Sequence, residues 1–137
     1  MDIDFLLLAD GAHVAGDKLY VLGGGWTVIW ARQFPVEHSA TIALGMMVDW
    51  NETNEKHQIE GVLLSDDGQV IDDPLFRGDF EIGKPPGIPP GTAQRFMAAV
   101  PVTFRLEKEG GYVVSFRVDG TELRRSVFTA VQRPARA

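Results

Sequence analysis

The chain has no cysteine, which removes disulfide frameworks, thiolate zinc sites and thiol nucleophiles together and fits a reducing compartment. Cations are scarce as well: 13 Lys and Arg stand against 19 Asp and Glu, a net charge of −6 over 137 residues. Binding a phosphate backbone needs clustered Lys and Arg. Here they concentrate only late, at Arg124, Arg125, Arg133 and Arg136. Residues 133–137 read as a flexible C-terminal tail after a single domain over 1–132, and no nucleic-acid partner is expected. Long apolar runs are missing too. Phe5-Leu-Leu-Leu-Ala9 stops at Asp10 after an acidic start, too short for a membrane span and of the wrong charge for a secretory signal. The expectation is a cytoplasmic protein with no membrane partner.

Helical periodicity is absent almost throughout, and alternation with period two takes its place. From Thr41 to Trp50 the even positions are Ile42, Leu44, Met46, Val48 and Trp50, one apolar face of a strand. Phe96, Ala98, Val100, Val102, Phe104 and Leu106 repeat the pattern, as do Tyr112, Val114, Phe116 and Val118. Pro101 cannot donate to a ladder, so its strand belongs at a sheet edge or breaks there. Further strands are predicted over 3–14, 18–22, 26–31, 57–65, 76–82 and 121–131. In the last, Leu123 and Val127 share a face that Phe128 does not, which predicts a bulge near Arg124 to Ser126.

Turn residues punctuate these runs: Ala15-Gly-Asp17, Asp66-Asp-Gly68, Gly110-Gly111 and Asp119-Gly120. Short, regularly spaced strands with such turns predict an all-β fold, an antiparallel two-sheet β-sandwich of seven to nine strands, immunoglobulin-like or C2-like. Leu106-x-x-x-Gly110-x-Tyr112 resembles a tyrosine corner, whose hydroxyl bonds back to the preceding turn. Gly83-Lys-Pro-Pro-Gly-Ile-Pro-Pro-Gly91 reads as a stiff connection from one sheet to the other.

Candidate sites are few. Trp26, Val28 and Trp30 would point the same way on one strand, the indoles roughly 13 Å apart at about 3.3 Å per residue. Such a pair suits a sugar-stacking platform, and equally a core or a subunit interface. With Trp50, these are the candidate binding or interface residues. Gly23-Gly24-Gly25 lacks the helix and Lys of a phosphate loop, so it reads as a bulge or sharp bend. Asp49, Asn51, Glu52, Asn54 and His57 form the densest polar cluster, a set of oxygens and one imidazole for a divalent cation. It lacks the alternating carboxylates and turn Gly of a calcium loop, and an Asx-rich turn accounts for it with fewer assumptions. Asp66, Asp67, Asp72 and Asp73 would add to the cation reading if their loops lay nearby. His13, His38 and His57 form no catalytic constellation in sequence, and no Ser sits in a nucleophile elbow. No catalytic residue and no cofactor are expected.

Phe5-Leu-Leu-Leu-Ala-Asp10, then Gly16-Asp-Lys-Leu-Tyr-Val-Leu-Gly-Gly-Gly-Trp26, the Trp50-Asn-Glu-Thr-Asn54 turn, the Pro-Pro-Gly loop near 85–91 and the closing Gly-x-Tyr and Asp-Gly hairpin are similar to a family of short bacterial proteins of unknown function. The resemblance spans nearly the whole chain and implies a stand-alone domain. It brings no catalytic residue or ligand. On the residues themselves, Val62 and Leu64 oppose Ile59 and Leu63, and Leu6 and Leu8 oppose Phe5 and Leu7. A strand apolar on both sides needs cover on both sides, from a partner subunit or a crossing segment. The leading expectation is therefore a non-catalytic binding or assembly module that forms a homo-oligomer or meets a protein partner. The rivals are a sandwich binding a cation or carbohydrate, and a small hydrolase in which His57 or His13 meets a carboxylate.

Overall fold

The computed structural model describes residues 1–134. Nine strands follow in chain order: β1 (Asp2–Ala15), β2 (Lys18–Gly24), β3 (Val28–Ala31), β4 (Val36–Val48), β5 (Lys56–Ser65), β6 (Val70–Glu81), β7 (Gln94–Leu106), β8 (Gly110–Val118) and β9 (Thr121–Gln132), with one 3-10 turn over Trp50–Glu52. They form a four-stranded sheet in the order β2-β1-β4-β7 and a five-stranded sheet in the order β3-β9-β8-β5-β6. This is the two-sheet sandwich that the alternation predicts. Every pairing is antiparallel except β3 with β9, which is parallel. That departure arises because the chain leaves β2 in one sheet and joins the far edge of the other. Gly23 and Gly25 make the bend, with φ of +58° and +88°, a region costly for other residues.

The even positions of β4 face the partner sheet. Ile42, Leu44, Met46 and Val48 are fully buried and meet Leu63, Val114, Phe116, Phe104 and Leu106 in one core. Aromatic rings join the layers: Phe80 stacks on Phe96 at 4.4 Å, and Phe104 meets Phe128 at 4.9 Å between centroids. Burying each such side chain contributes about 1.5–3 kcal/mol. Pro101 lies on β7, an edge strand as its missing N–H requires. The proline-rich segment connects β6 to β7 and so crosses between the sheets. The tyrosine corner is present: the Tyr112 hydroxyl donates to the Lys108 carbonyl at 2.5 Å.

Four details differ from the expectation. The bulge in β9 falls at Leu123, since Arg117 pairs Glu122 while Phe116 pairs Arg124. Leu123 then packs on the core while Val127 points outward, 61 % exposed. Strand β6 starts at Val70, six residues early, because Asp72-Asp73-Pro74 is absorbed in an irregular edge strand. Trp50 leaves the strand for the 3-10 turn. Arg133 donates its backbone N–H to the Ala31 carbonyl at 2.7 Å, so the start of the expected tail still holds to β3. Residues 135–137 lie outside the described residues.

Both sheets carry apolar side chains on their outer faces, and the two are covered differently. Beyond Ala9, β1 has no partner on β4. The β1–β2 hairpin instead comes up against β7, and Val14 and Asp17 line a cavity with Arg95, Phe96 and Met97. Since β4 separates β1 from β7 in the sheet, the hairpin crosses over β4 on the side away from the core. Beneath it Ala43 and Ala9 are fully buried, and Phe5 lies across Gly45, where a Cβ would stand 2.4 Å from its ring. The chain thus covers this face with its own hairpin. On the outer face of the five-stranded sheet Val62, Leu64 and Val113 are buried, while Val70 and Val127 are exposed.

Candidate functional site

The polar turn before β5 is a structural clasp. Strand β5 opens at Lys56, which turns His57 inward beside Phe80, with ring centroids 5.3 Å apart. His57 is 5 % exposed. Its Nδ1 stands 2.7 Å from Asp119 Oδ2, and its Nε2 stands 2.8 Å from the Glu52 carbonyl oxygen. Both partners are acceptors, so only the doubly protonated imidazolium satisfies both contacts. Burial opposes that charge. The Asp119 carboxylate, the Glu52 carbonyl and the Glu55 charge outweigh it, and the His57 pKa is raised above its ordinary 6.5. Asp119 also accepts from the Gln58 backbone N–H at 2.9 Å. That bond, with His57, holds its carboxyl below the ordinary 3.8.

The five candidate cation ligands do not assemble. Glu52 and Asp49 face the Met1 ammonium group at 3.0 and 3.4 Å. Asn51 and Asn54 are exposed, and both His57 nitrogens are engaged. Among the described residues no three His, Asp or Glu side chains come together where they could hold a metal ion. Asp66 and Asp67 sit at the opposite end of β5, roughly 30 Å away at strand spacing. There they border a cavity of about 310 Å³ with Glu107 and Glu109. The idea that these aspartates join the Asp49–His57 cluster is thereby corrected. A His–carboxylate pair does exist, as the hydrolase reading requires. Its ring is buried and the second nitrogen faces a backbone carbonyl, while the Asp119 side chain is half exposed.

The three tryptophans separate. Trp26 precedes β3, packs on the core and meets His38 edge-on at 5.7 Å. Its Nε1 is buried without a partner. Trp30 points to solvent, 56 % exposed, with the Arg133 guanidinium 5.5 Å over its ring. The paired platform is therefore corrected: the strand begins only at Val28, and the two indoles lie on different sides of the chain. Trp50 is half-buried beneath the Lys84 ammonium, 4.4 Å from the ring centroid.

What sequence alone did not reveal is a band across the outer face of the five-stranded sheet. Val70 pairs with Leu64, Leu64 with Val113, and Val113 with Val127. Val28 and Trp30 continue it on β3, which lies beside β9. Val62, Leu64 and Val113 are buried there as a small cluster apart from the core. The legible signal was the pair Val62 and Leu64. The strand neighbours that extend it depended on long-range pairing.

Fold and surface thus define a two-sheet β-sandwich domain with an apolar band on one outer face. The chain belongs to a family of unknown function, DUF6941, whose model matches residues 4–131. No curated protein matches it. Among solved structures, the Pseudomonas fluorescens alkylpurine DNA glycosylase AlkC bound to DNA containing an abasic site analog is similar at 12 % identity with a TM-score of 0.43. The match covers 76 % of this chain and 27 % of that one, so the chain spans about a quarter of that protein's length. No helix among the described residues is long and apolar enough to cross a membrane.

Proposed function

We propose that this domain is a non-catalytic, immunoglobulin-like assembly module of the cytoplasm that associates with copies of itself. The observation that carries the reading is the band of Val70, Leu64, Val113, Val127, Val28 and Trp30, four of them more than a third exposed. Contiguous apolar surface rimmed by polar groups is the mark of an interaction site. The immunoglobulin-like element rests on strand neighbours: β4 beside β7 in one sheet, and β5, β8 and β9 together in the other, with a tyrosine corner opening β8. The cytoplasmic element rests on the absence of cysteine. The non-catalytic element is supported by the burial of the His57 ring with both of its nitrogens engaged. Light scattering on the purified chain tests the core of the proposal. A mass rising with concentration toward a multiple of 15.1 kDa supports it. A single-chain mass at high micromolar concentration would sink self-association.

A further inference from the structure

We infer that the partner is a second copy, and that the two copies meet through the outer face of the five-stranded sheet about a two-fold axis, the same face contributed by each. This rests on the self-association reading and adds the surface and the symmetry to it.

The four-stranded sheet already has its β1–β2 hairpin over its outer face, whereas on the five-stranded sheet Val70 and Val127 are each 61 % exposed on either side of the buried Leu64 and Val113. The chain carries −6, so most approaches of one copy to another are repulsive. On this face the charges are already balanced within one copy. Glu60 lies between Arg77 and Arg117 in the ladders, and its carboxylate takes the Arg77 guanidinium at 2.9 Å. Arg117 pairs in turn with Glu122, which holds Arg125 at 2.9 Å. Ser115 beneath them is fully buried and donates to Glu122 at 2.5 Å. A row of alternating sign beside an apolar band lets an identical face dock without like charges opposed. The exposed Tyr20 and Leu22 of the hairpin lack this setting: Asp10 and Asp17 flank them.

Five strands about 4.8 Å apart and about eight residues long give a plane of roughly 500 Å² before side-chain relief is counted. That is of the order of the ~800 Å² per partner of a standard interface. Trp30 at the band's edge is the large aromatic anchor expected of such a contact.

Sedimentation equilibrium of the full chain and of Val127→Glu, Trp30→Glu and Leu22→Glu tests the inference. Circular dichroism melting first confirms that each variant folds, and at these exposed positions it should. The expected result is a wild-type dimer whose dissociation constant rises at least about tenfold in V127E and W30E and stays unchanged in L22E. A wild-type dimer that V127E leaves intact, or that L22E weakens equally, overturns the face while self-association stands. A wild type that stays monomeric at high micromolar concentration overturns both.

Discussion

His57 and Asp119 lie sixty-two residues apart and meet at 2.7 Å, a ring nitrogen against a carboxylate oxygen. The contact ties the start of β5 to the β8–β9 turn, where Asp119 has a φ of +51° and accepts the Gln58 N–H. Through Glu52 it also ties both to the 3-10 turn. The carboxylates that in sequence suit a cation, Asp49 and Glu52, instead face the Met1 ammonium group, and His57 turns to Asp119.

Removing the carboxylate leaves a buried charged ring without its partner. Asp119→Ala should destabilise the domain by about 2 kcal/mol, most of it from the lost hydrogen bonds and the lost left-handed turn residue. Little comes from Coulomb attraction, because the Asp119 side chain is half exposed and screened. Asp119→Asn keeps the turn and an acceptor for Gln58 and should cost less. Urea unfolding of the two variants measures the difference. Equal losses would contradict the assignment.

The contact between His57 and Asp119 makes its own contribution to the pH dependence. His57 has a raised pKa, so its stabilisation is complete below the ordinary 6.5 and fades as pH climbs through the raised folded value. Asp119 has a lowered pKa, so its contribution is complete above the ordinary 3.8 and disappears as pH falls through the lowered folded value. The stabilisation from this pair should therefore be greatest between these ordinary values. His57→Gln should flatten the alkaline limb of a melting-temperature profile and leave that limb's acid counterpart largely in place. An unchanged alkaline limb would show that His57 is not the titrating group.

Tyr112→Phe keeps the ring against Phe128 and removes only the hydroxyl bonded to Lys108. A loss of about 1 kcal/mol is expected in chemical denaturation. No loss at all would mean that the corner bond is replaced by water at no cost.

Gly61 lies under the Phe76 ring, which a Cβ would meet at 2.2 Å. Gly61→Ala should cost about 1–3 kcal/mol, since the ring must move within a packed interior. Gly68→Ala makes a useful contrast. A Cβ there meets nothing within 4 Å, and its cost comes from a φ of +88°. If pairing the first change with Phe76→Leu fails to relieve the loss, the clash is not its origin.

The strands were legible because one apolar face at period two is enough to mark them. Ile42 to Val48 and Phe96 to Leu106 point inward as their alternation requires. Local chemistry also announced the tyrosine corner and the edge position of Pro101. Legibility failed wherever the answer depended on a neighbour far along the chain. The parallel pairing of β3 with β9 has no local signature, and neither has the meeting of His57 with Asp119. Trp26 and Trp30 looked alike from spacing alone, yet Trp26 lies before the strand, which begins only at Val28. The apolar band was visible only in part, through Val62 and Leu64, because Val70, Val113 and Val127 join it by ladder register.

The most direct test of the account is a concentration series of amide, methyl and indole NMR spectra on the wild-type chain. The account predicts that signals of Trp30, Val28, Val127, Val113 and Val70 shift and broaden together as concentration rises, while those of Tyr20 and Leu22 stay in place. Spectra that do not change with concentration, at the linewidth of a single 15.1 kDa chain, would contradict it.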